Sequence, residues 1–246
     1  MSLTVQGYVI SRTFGAPISL PAVVRRDPGN PGAENTMAMS DSATPSNATL
    51  SGTKPSKQQL RRQIRAARRA LSAHRQRLAS RKLCARLALC PEVKRARHIG
   101  LYWPMDGEID PRPLLERFPH KRFYLPALPR AARTAMLFLH WPGTTPRYRN
   151  RYGIPEPVLG RSSAIRADRL DLVLLPLVAF DPSGARLGMG AGYYDRTFAF
   201  KQLRPGSGPA LVGVAHQLQC VDHLPVEPWD IPLKLVATDQ RVYRTL

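Results

Sequence analysis

Acidic residues are in short supply. The 246-residue chain carries 17 Asp and Glu against 37 Lys and Arg, a formal net charge of +20. A surplus of that size ordinarily marks a protein that meets nucleic acid or another anionic partner. Cysteine is scarcer still. Cys84, Cys90 and Cys220 are odd in number and lack metal-ligand spacing, which argues against a disulfide framework and for reduced thiols in a cytoplasmic protein. The histidines show no H-x-x-H or comparable spacing, so no zinc site is indicated. No apolar run approaches a membrane span, and the N-terminus lacks a basic start followed by an apolar stretch and a small-residue cleavage site. No membrane partner is expected. Proline, by contrast, is plentiful, and 24 of them favour a loop-rich fold over a helical bundle.

Residues 1–56 are rich in Pro, Gly, Ser, Thr, Asn and Ala and have almost nothing to bury. Such a segment cannot offset the entropy of ordering, so a disordered extension or leader is expected ahead of a folded body over 57–246. Residues 57–86 then carry eleven Lys or Arg and no acid. Leu60, Ile64 and Leu71 keep one apolar face at helical spacing, and Leu78, Leu83 and Leu87 continue it after a break near Ser72. Most of these cations are expected on a solvated face. RNA binding is the alternative, weakened by the lack of interleaved aromatics. Lys57 and Arg61, four residues apart, share one helical face.

Strands are expected at 98–103, 122–128 and 135–141, with a short helix over 111–120. Pro155 and Pro157 force residues 149–157 onto an extended path. The most informative stretch is 171–200, DLVLLPLVAFDPSGARLGMGAGYYDRTFAF. Its first ten residues suit a buried strand, and Asp181-Pro182-Ser183-Gly184 spells a turn. Gly188, Gly190 and Gly192 follow at every second position, a spacing that lets backbone N–H groups converge on phosphate oxygens. A structural turn remains the alternative, because the pattern is neither a Walker motif nor a dinucleotide fingerprint. A helix is expected from Tyr193 to about residue 203, with Asp195 in its first turn. Strands over 210–216 and 233–238 complete an α/β domain with a mixed, mostly parallel sheet.

The whole string closely resembles the signature of the 5-formyltetrahydrofolate cyclo-ligase family, roughly P-x-x-A-F-D-x-x-G-x-R-L-G-x-G-x-G-Y-Y-D. Pro176, Ala179, Phe180, Asp181, Gly184, Arg186, Leu187, Gly188, Gly190, Gly192, Tyr193, Tyr194 and Asp195 stand in their places. Lys57-Gln58-Gln59-Leu60-Arg61 is similar to the family's K-x-x-L-R, Glu108-Ile109-Asp110 to its E-I-D, and residues 219–232 to its tail motif. Trp229 replaces the family's usual histidine there, and Lys234 its usual aspartate.

The resemblance implies a three-layer Rossmann-like fold, shared with sugar-phosphate isomerases and CoA transferases. It implies ATP-dependent cyclisation of 5-formyltetrahydrofolate to the 5,10-methenyl form, with ADP and phosphate released after phosphorylation of the formyl oxygen. By the same resemblance ATP would be held by residues 57–61 (Lys57, Gln58, Gln59, Leu60, Arg61), Arg186, Leu187, Gly188, Met189, Gly190, Ala191, Gly192, Tyr193 and Tyr194. The folate would meet Arg61, Trp103, Glu108, Met189 and Tyr193. Mg²⁺ would bind Asp195 and Asp230, and Arg186 and Tyr193 would be catalytic. A monomer with a small-molecule substrate and no specific nucleic acid is expected. The rival functions are an RNA-binding protein using residues 57–86, and a CoA-transferase or sugar-phosphate-isomerase-like enzyme on the same architecture.

Overall fold

The computed structural model describes residues 55–128, 135–146 and 148–245. Apart from its last two residues, the extension expected over 1–56 lies outside the described residues, as does the connection through Pro129 and Arg130.

The basic run divides into α1 (Lys57–Arg69) and α2 (Ala73–Leu89). Ser56 begins the first with a capping box shared with Gln59, and Ser72 caps the second by accepting from the Arg75 N–H. The break therefore falls where the serine predicts it. A short α3 (Pro91–Arg95) leads into β1 (His98–Gly100). Then come α4 (Leu114–Arg117), β2 (Arg122–Ala127), β3 (Leu137–His140), β4 (Ala164–Arg166) and β5 (Leu172–Pro176). After the hairpin β6 (Ala179–Phe180) and β7 (Arg186–Leu187) come α5 (Tyr193–Phe198) and α6 (Phe200–Leu203). The strands β8 (Ala210–Ala215), β9 (Leu235–Thr238) and β10 (Val242–Arg244) follow.

Among the described residues, eight strands form one sheet in the order β10-β9-β8-β5-β1-β2-β3-β4. The five strands from β9 to β2 are mutually parallel, and the outer strands β10, β3 and β4 join through antiparallel pairings. This is the mixed, mostly parallel sheet expected. Both of its faces are covered, which is why its strands are almost continuously apolar. Ile99, Phe123, Leu125, Leu172, Leu174, Val212, Val214 and Leu235 bury against α2, α3 and α4. The alternate residues Tyr124, Val173, Leu175, Leu211 and Val236 bury on the other side with Phe138, Phe198 and Ile231.

Several expected elements come out shorter or divided. The run 171–180 breaks after Pro176 because Gln219 Nε2 donates to the Leu177 and Val178 carbonyls, at 2.7 and 3.0 Å, in place of a neighbouring strand. The strand over 98–103 closes at Gly100, although the Leu101 N–H still reaches the Tyr124 carbonyl at 2.8 Å. The helix expected over 111–120 is one turn long. The helix from Tyr193 is interrupted at Ala199, although Tyr194 and Phe198 do stack along it, 6.4 Å apart. Residues 149–157 are not simply extended: Asn150 closes a turn, its backbone N–H donating to Ile154 O at 3.0 Å. No helix among the described residues is long and apolar enough to cross a membrane.

Asp181 holds the hairpin in place. Its buried carboxylate accepts from Ser183 N, Ser183 Oγ and Ala185 N, and from Leu224 N at 2.9 Å across the chain. Asp181→Ala leaves these donors unpaired, and a loss of roughly 2–4 kcal/mol is expected in urea unfolding.

Candidate active site

The parallel strands β1, β2 and β5 end on the same side of the sheet, the usual place for a ligand crevice in an open α/β fold. Leu125 and Pro126 from β2, Pro176 and Leu177 at the end of β5, and residues 102–108 beyond β1 line a cleft of about 930 Å³ there. Helix α1 forms one wall through Lys57, Arg61, Arg65 and Arg68, spaced four, four and three residues apart. The glycine loop after β7 forms the facing wall, and Glu227, Trp229 and Asp230 stand at the rim.

The two walls touch. Arg61 Nε donates to the Gly188 carbonyl at 2.9 Å. Gly190 and Gly192 hold φ of 97° and 66°, a region open to glycine and strained for other residues. Met189 is exposed between them. Gly192 then enters α5 at Tyr193, but a six-residue helix has little macrodipole, so the loop amides and side-chain cations must supply most of any attraction for anions.

Arg186, only 7% exposed, pairs with Asp195. Its Nε is buried with no partner among the described residues, so one donor of the fork remains free. Lys57 Nζ donates to Glu227 Oε1 at 2.7 Å, and Asp230 Oδ2 accepts from Glu227 N at 2.9 Å. Tyr193 lies at the outer edge, its hydroxyl bonded to Arg151 and 3.2 Å from Tyr152. The bonds from Tyr152 and Arg151 hold its phenol below the usual tyrosine range.

At the opposite end, Glu108 Oε2 accepts from Met105 N at 3.1 Å. Trp103 packs its edge against Trp141, with ring centroids 5.9 Å apart, and the Arg112 guanidinium covers one face at 4.3 Å. Burial raises the phenol of Tyr194, beside Glu108, above its ordinary value.

Every expected site residue lines this cleft except Gln58, Gln59 and Leu60. The side chains of those three lie elsewhere. Gln58 is exposed on the outer face of α1, Gln59 closes the Ser56 capping box, and Leu60 packs toward Ala179, Leu187 and Leu224. Of the cations expected mostly on a solvated face, six of the eleven are exposed, and three of the eleven share one carboxylate. Arg65, Arg68 and Arg69 all pair with Asp106, and Arg68 is 1% exposed. Their spacing was visible in the sequence; the carboxylate they meet, 37 to 41 residues away, was not. Asp106 itself, Asn150 and Tyr152 also line the cleft, although no site role was expected of them from the sequence.

Fold and cleft define a Rossmann-like α/β protein with a basic crevice at the carboxyl ends of its parallel strands. The sequence matches the model of the 5-formyltetrahydrofolate cyclo-ligase family over residues 53–239, and the chain belongs to that family. It is 40% identical to the 5-formyltetrahydrofolate cyclo-ligase of Escherichia coli K12 over 182 residues, 73% of this chain and 98% of that protein. The enzyme of the same name from Haemophilus influenzae is 38% identical, over 72% of this chain and 94% of its own. Among solved structures, the 5,10-methenyltetrahydrofolate synthetase of Aquifex aeolicus superimposes with a TM-score of 0.64 at 32% identity, covering 76% of this chain and 92% of that one. That of Mycoplasma pneumoniae gives 0.58 at 27%, covering 74% and 98%.

Asp106 carries most of the electrostatic load at this wall. Burial alone would raise its carboxyl, but hydrogen bonds from Arg65 and Arg69 and the charge of Arg68 outweigh that and hold it below the usual carboxylate range. Asp106→Ala leaves the buried Arg68 with Glu108, 3.9 Å away, as its nearest remaining counter-charge, and a loss of about 3 kcal/mol is expected in urea unfolding. Because the folded value is depressed, the carboxylate's contribution is full above about pH 4 and fades as pH falls through that lower value. The gap between wild type and variant should therefore narrow in acid.

Proposed function

We propose that this protein catalyses the ATP- and Mg²⁺-dependent cyclisation of 5-formyltetrahydrofolate to 5,10-methenyltetrahydrofolate, releasing ADP and phosphate. The observation that carries the reading is the junction of Arg61 with the Gly188 carbonyl, which joins a row of cations to the glycine loop in one cleft that also contains Glu108. Family membership supplies the reaction class.

The formyl group is amide-like, and its oxygen is a poor leaving group. Transfer of the γ-phosphoryl to that oxygen turns it into a good one; nitrogen 10 then attacks the formyl carbon and phosphate departs. The protein's work is positioning and charge neutralisation. Lys57, Arg61 and Arg186, with the amides of residues 188–192, would hold the triphosphate. Bound Mg²⁺ would neutralise phosphate charge. Asp195 and Asp230 suit it, since Mg²⁺ commonly takes one or two carboxylates and completes its shell with phosphate and water. Among the described residues no cluster of three or more metal-ligating side chains exists to hold a metal without a nucleotide. Glu108 can accept the paired N–H groups of the pterin, Trp103 offers an apolar wall, and Tyr193 closes the outer edge.

The RNA-binding reading loses ground because Arg61, Arg65, Arg68 and Arg69 are all engaged within the molecule. Production of the methenyl chromophore, followed by its ultraviolet absorbance, should require both ATP and 5-formyltetrahydrofolate. No absorbance with both present would refute the proposal. Asp195→Asn should reduce turnover at least a hundredfold while the circular dichroism spectrum stays unchanged; wild-type turnover would remove Asp195 from the site. Glu108→Ala should raise KM for the folate far more than it lowers kcat, and an unaltered KM would locate the pterin elsewhere.

A further inference from the structure

Arg68 is the most deeply buried cation of the cleft, and its fork is only partly used. Nε donates to the Asp106 carbonyl at 2.9 Å and Nη2 to Asp106 Oδ2 at 3.0 Å. The remaining corner, Nη1, is buried and without a hydrogen-bond partner among the described residues, yet it lies 3.9 Å from Glu108 Oε1. An unpaired guanidinium corner in the interior is expensive unless a nearby charge compensates it. The backbone around it is anchored as well, since Gln76 Nε2 bridges the Arg68 and Gly107 carbonyls at 3.2 Å each. Arg68 thus stands at a fixed height beneath the carboxylate.

We propose that Arg68 is a positioning residue for the substrate, the counter-ion that keeps Glu108 ionised and oriented to receive the pterin. The inference rests on the reading of Glu108 as the pterin acceptor. A pterin presents two adjacent N–H donors, which a carboxylate matches and a protonated carboxyl does not. Glu108 is 16% exposed, and burial pushes its carboxyl above the usual range. The Met105 N–H and the charge of Arg68 pull it back, Asp106 raises it, and Arg65 lowers it slightly. The phenols of Tyr102, beyond β1, and Tyr194, on α5, face it from the other packed elements. Arg68 supplies the closest positive charge, 3.9 Å away, and among the charged groups it favours the carboxylate most, after the Met105 N–H.

The test separates the ion pair from the function. In protein labelled with ¹³C at glutamate carboxyls, with Glu108 assigned by Glu108→Gln, Arg68→Met should raise the Glu108 titration midpoint by roughly one pH unit or more, and Arg68→Lys should largely restore it. The acidic limb of kcat/KM should move with it, lowering kcat/KM on the order of tenfold where the limb lies, chiefly through KM. A midpoint identical in wild type and Arg68→Met would overturn the proposal, as would a uniform loss of activity with an unmoved limb. A measurement on wild type needs no stable Arg68 variant: the ¹⁵N guanidinium signals of Arg68 should follow the Glu108 titration, and signals indifferent to it would also overturn the proposal. If the carboxyl midpoint moves but the kinetic limb does not, the pterin does not sit on Glu108. That result would overturn Arg68's role in substrate capture while leaving the ion pair intact.

Discussion

Three arginines of one helix converge on a single carboxylate. Arg65, Arg68 and Arg69 of α1 all reach Asp106, and Asp106 is the one non-glycine with positive φ among the described residues, at 53°. Aspartate tolerates that left-handed conformation better than most residues, and the guanidinium forks hold it there. The contact fastens α1 to the loop beyond β1. Without it, the helix that lends the cleft its cations and the loop that lends it Glu108 would have no common reference. Strain of this kind persists only where the surroundings over-determine it, and here they do.

The same arrangement accounts for the unusual charge balance of the basic run. A helix without acids repels itself and cannot be stabilised by pairs along its own length. Its partners come instead from distant segments: Glu227 for Lys57, the Gly188 carbonyl for Arg61, and Asp106 for Arg65, Arg68 and Arg69. Two carboxylates of the cleft are likewise engaged with cations, Glu227 with Lys57 and Asp195 with Arg186. The cleft is therefore basic in excess and partly paired internally, and two of its buried donors, Arg186 Nε and Arg68 Nη1, have no hydrogen-bond partner among the described residues.

Local chemistry explains which features were legible beforehand. Ser72 marked the break between the first two helices because its side chain caps the first turn of the second, and the DPSG corner turned as written because Pro182 and Gly184 suit its dihedrals. The apolar runs of β5, β8 and β9 announced strands buried on both faces. The breaks were hidden. Leu177 and Val178 look like more strand, and only the side chain of Gln219, some forty residues on, diverts their carbonyls. β4 and β10 are three-residue edge strands with too little pattern to stand out.

The site divides in the same way. Residue type and short spacing determined the glycine loop and the Lys57 and Arg61 face, while the candidate carboxylates Glu108, Asp195 and Asp230 followed from the motif resemblance to the family. Only the tertiary structure decided which of eleven cations face the cleft, that Asp106 gathers three of them, and that the side chains of Gln59 and Leu60 cap the helix and pack on the core. The reason is electrostatic and geometric: a charge's role depends on the partner within a few ångströms and on the water removed from around it. Neither is written in the neighbouring residues.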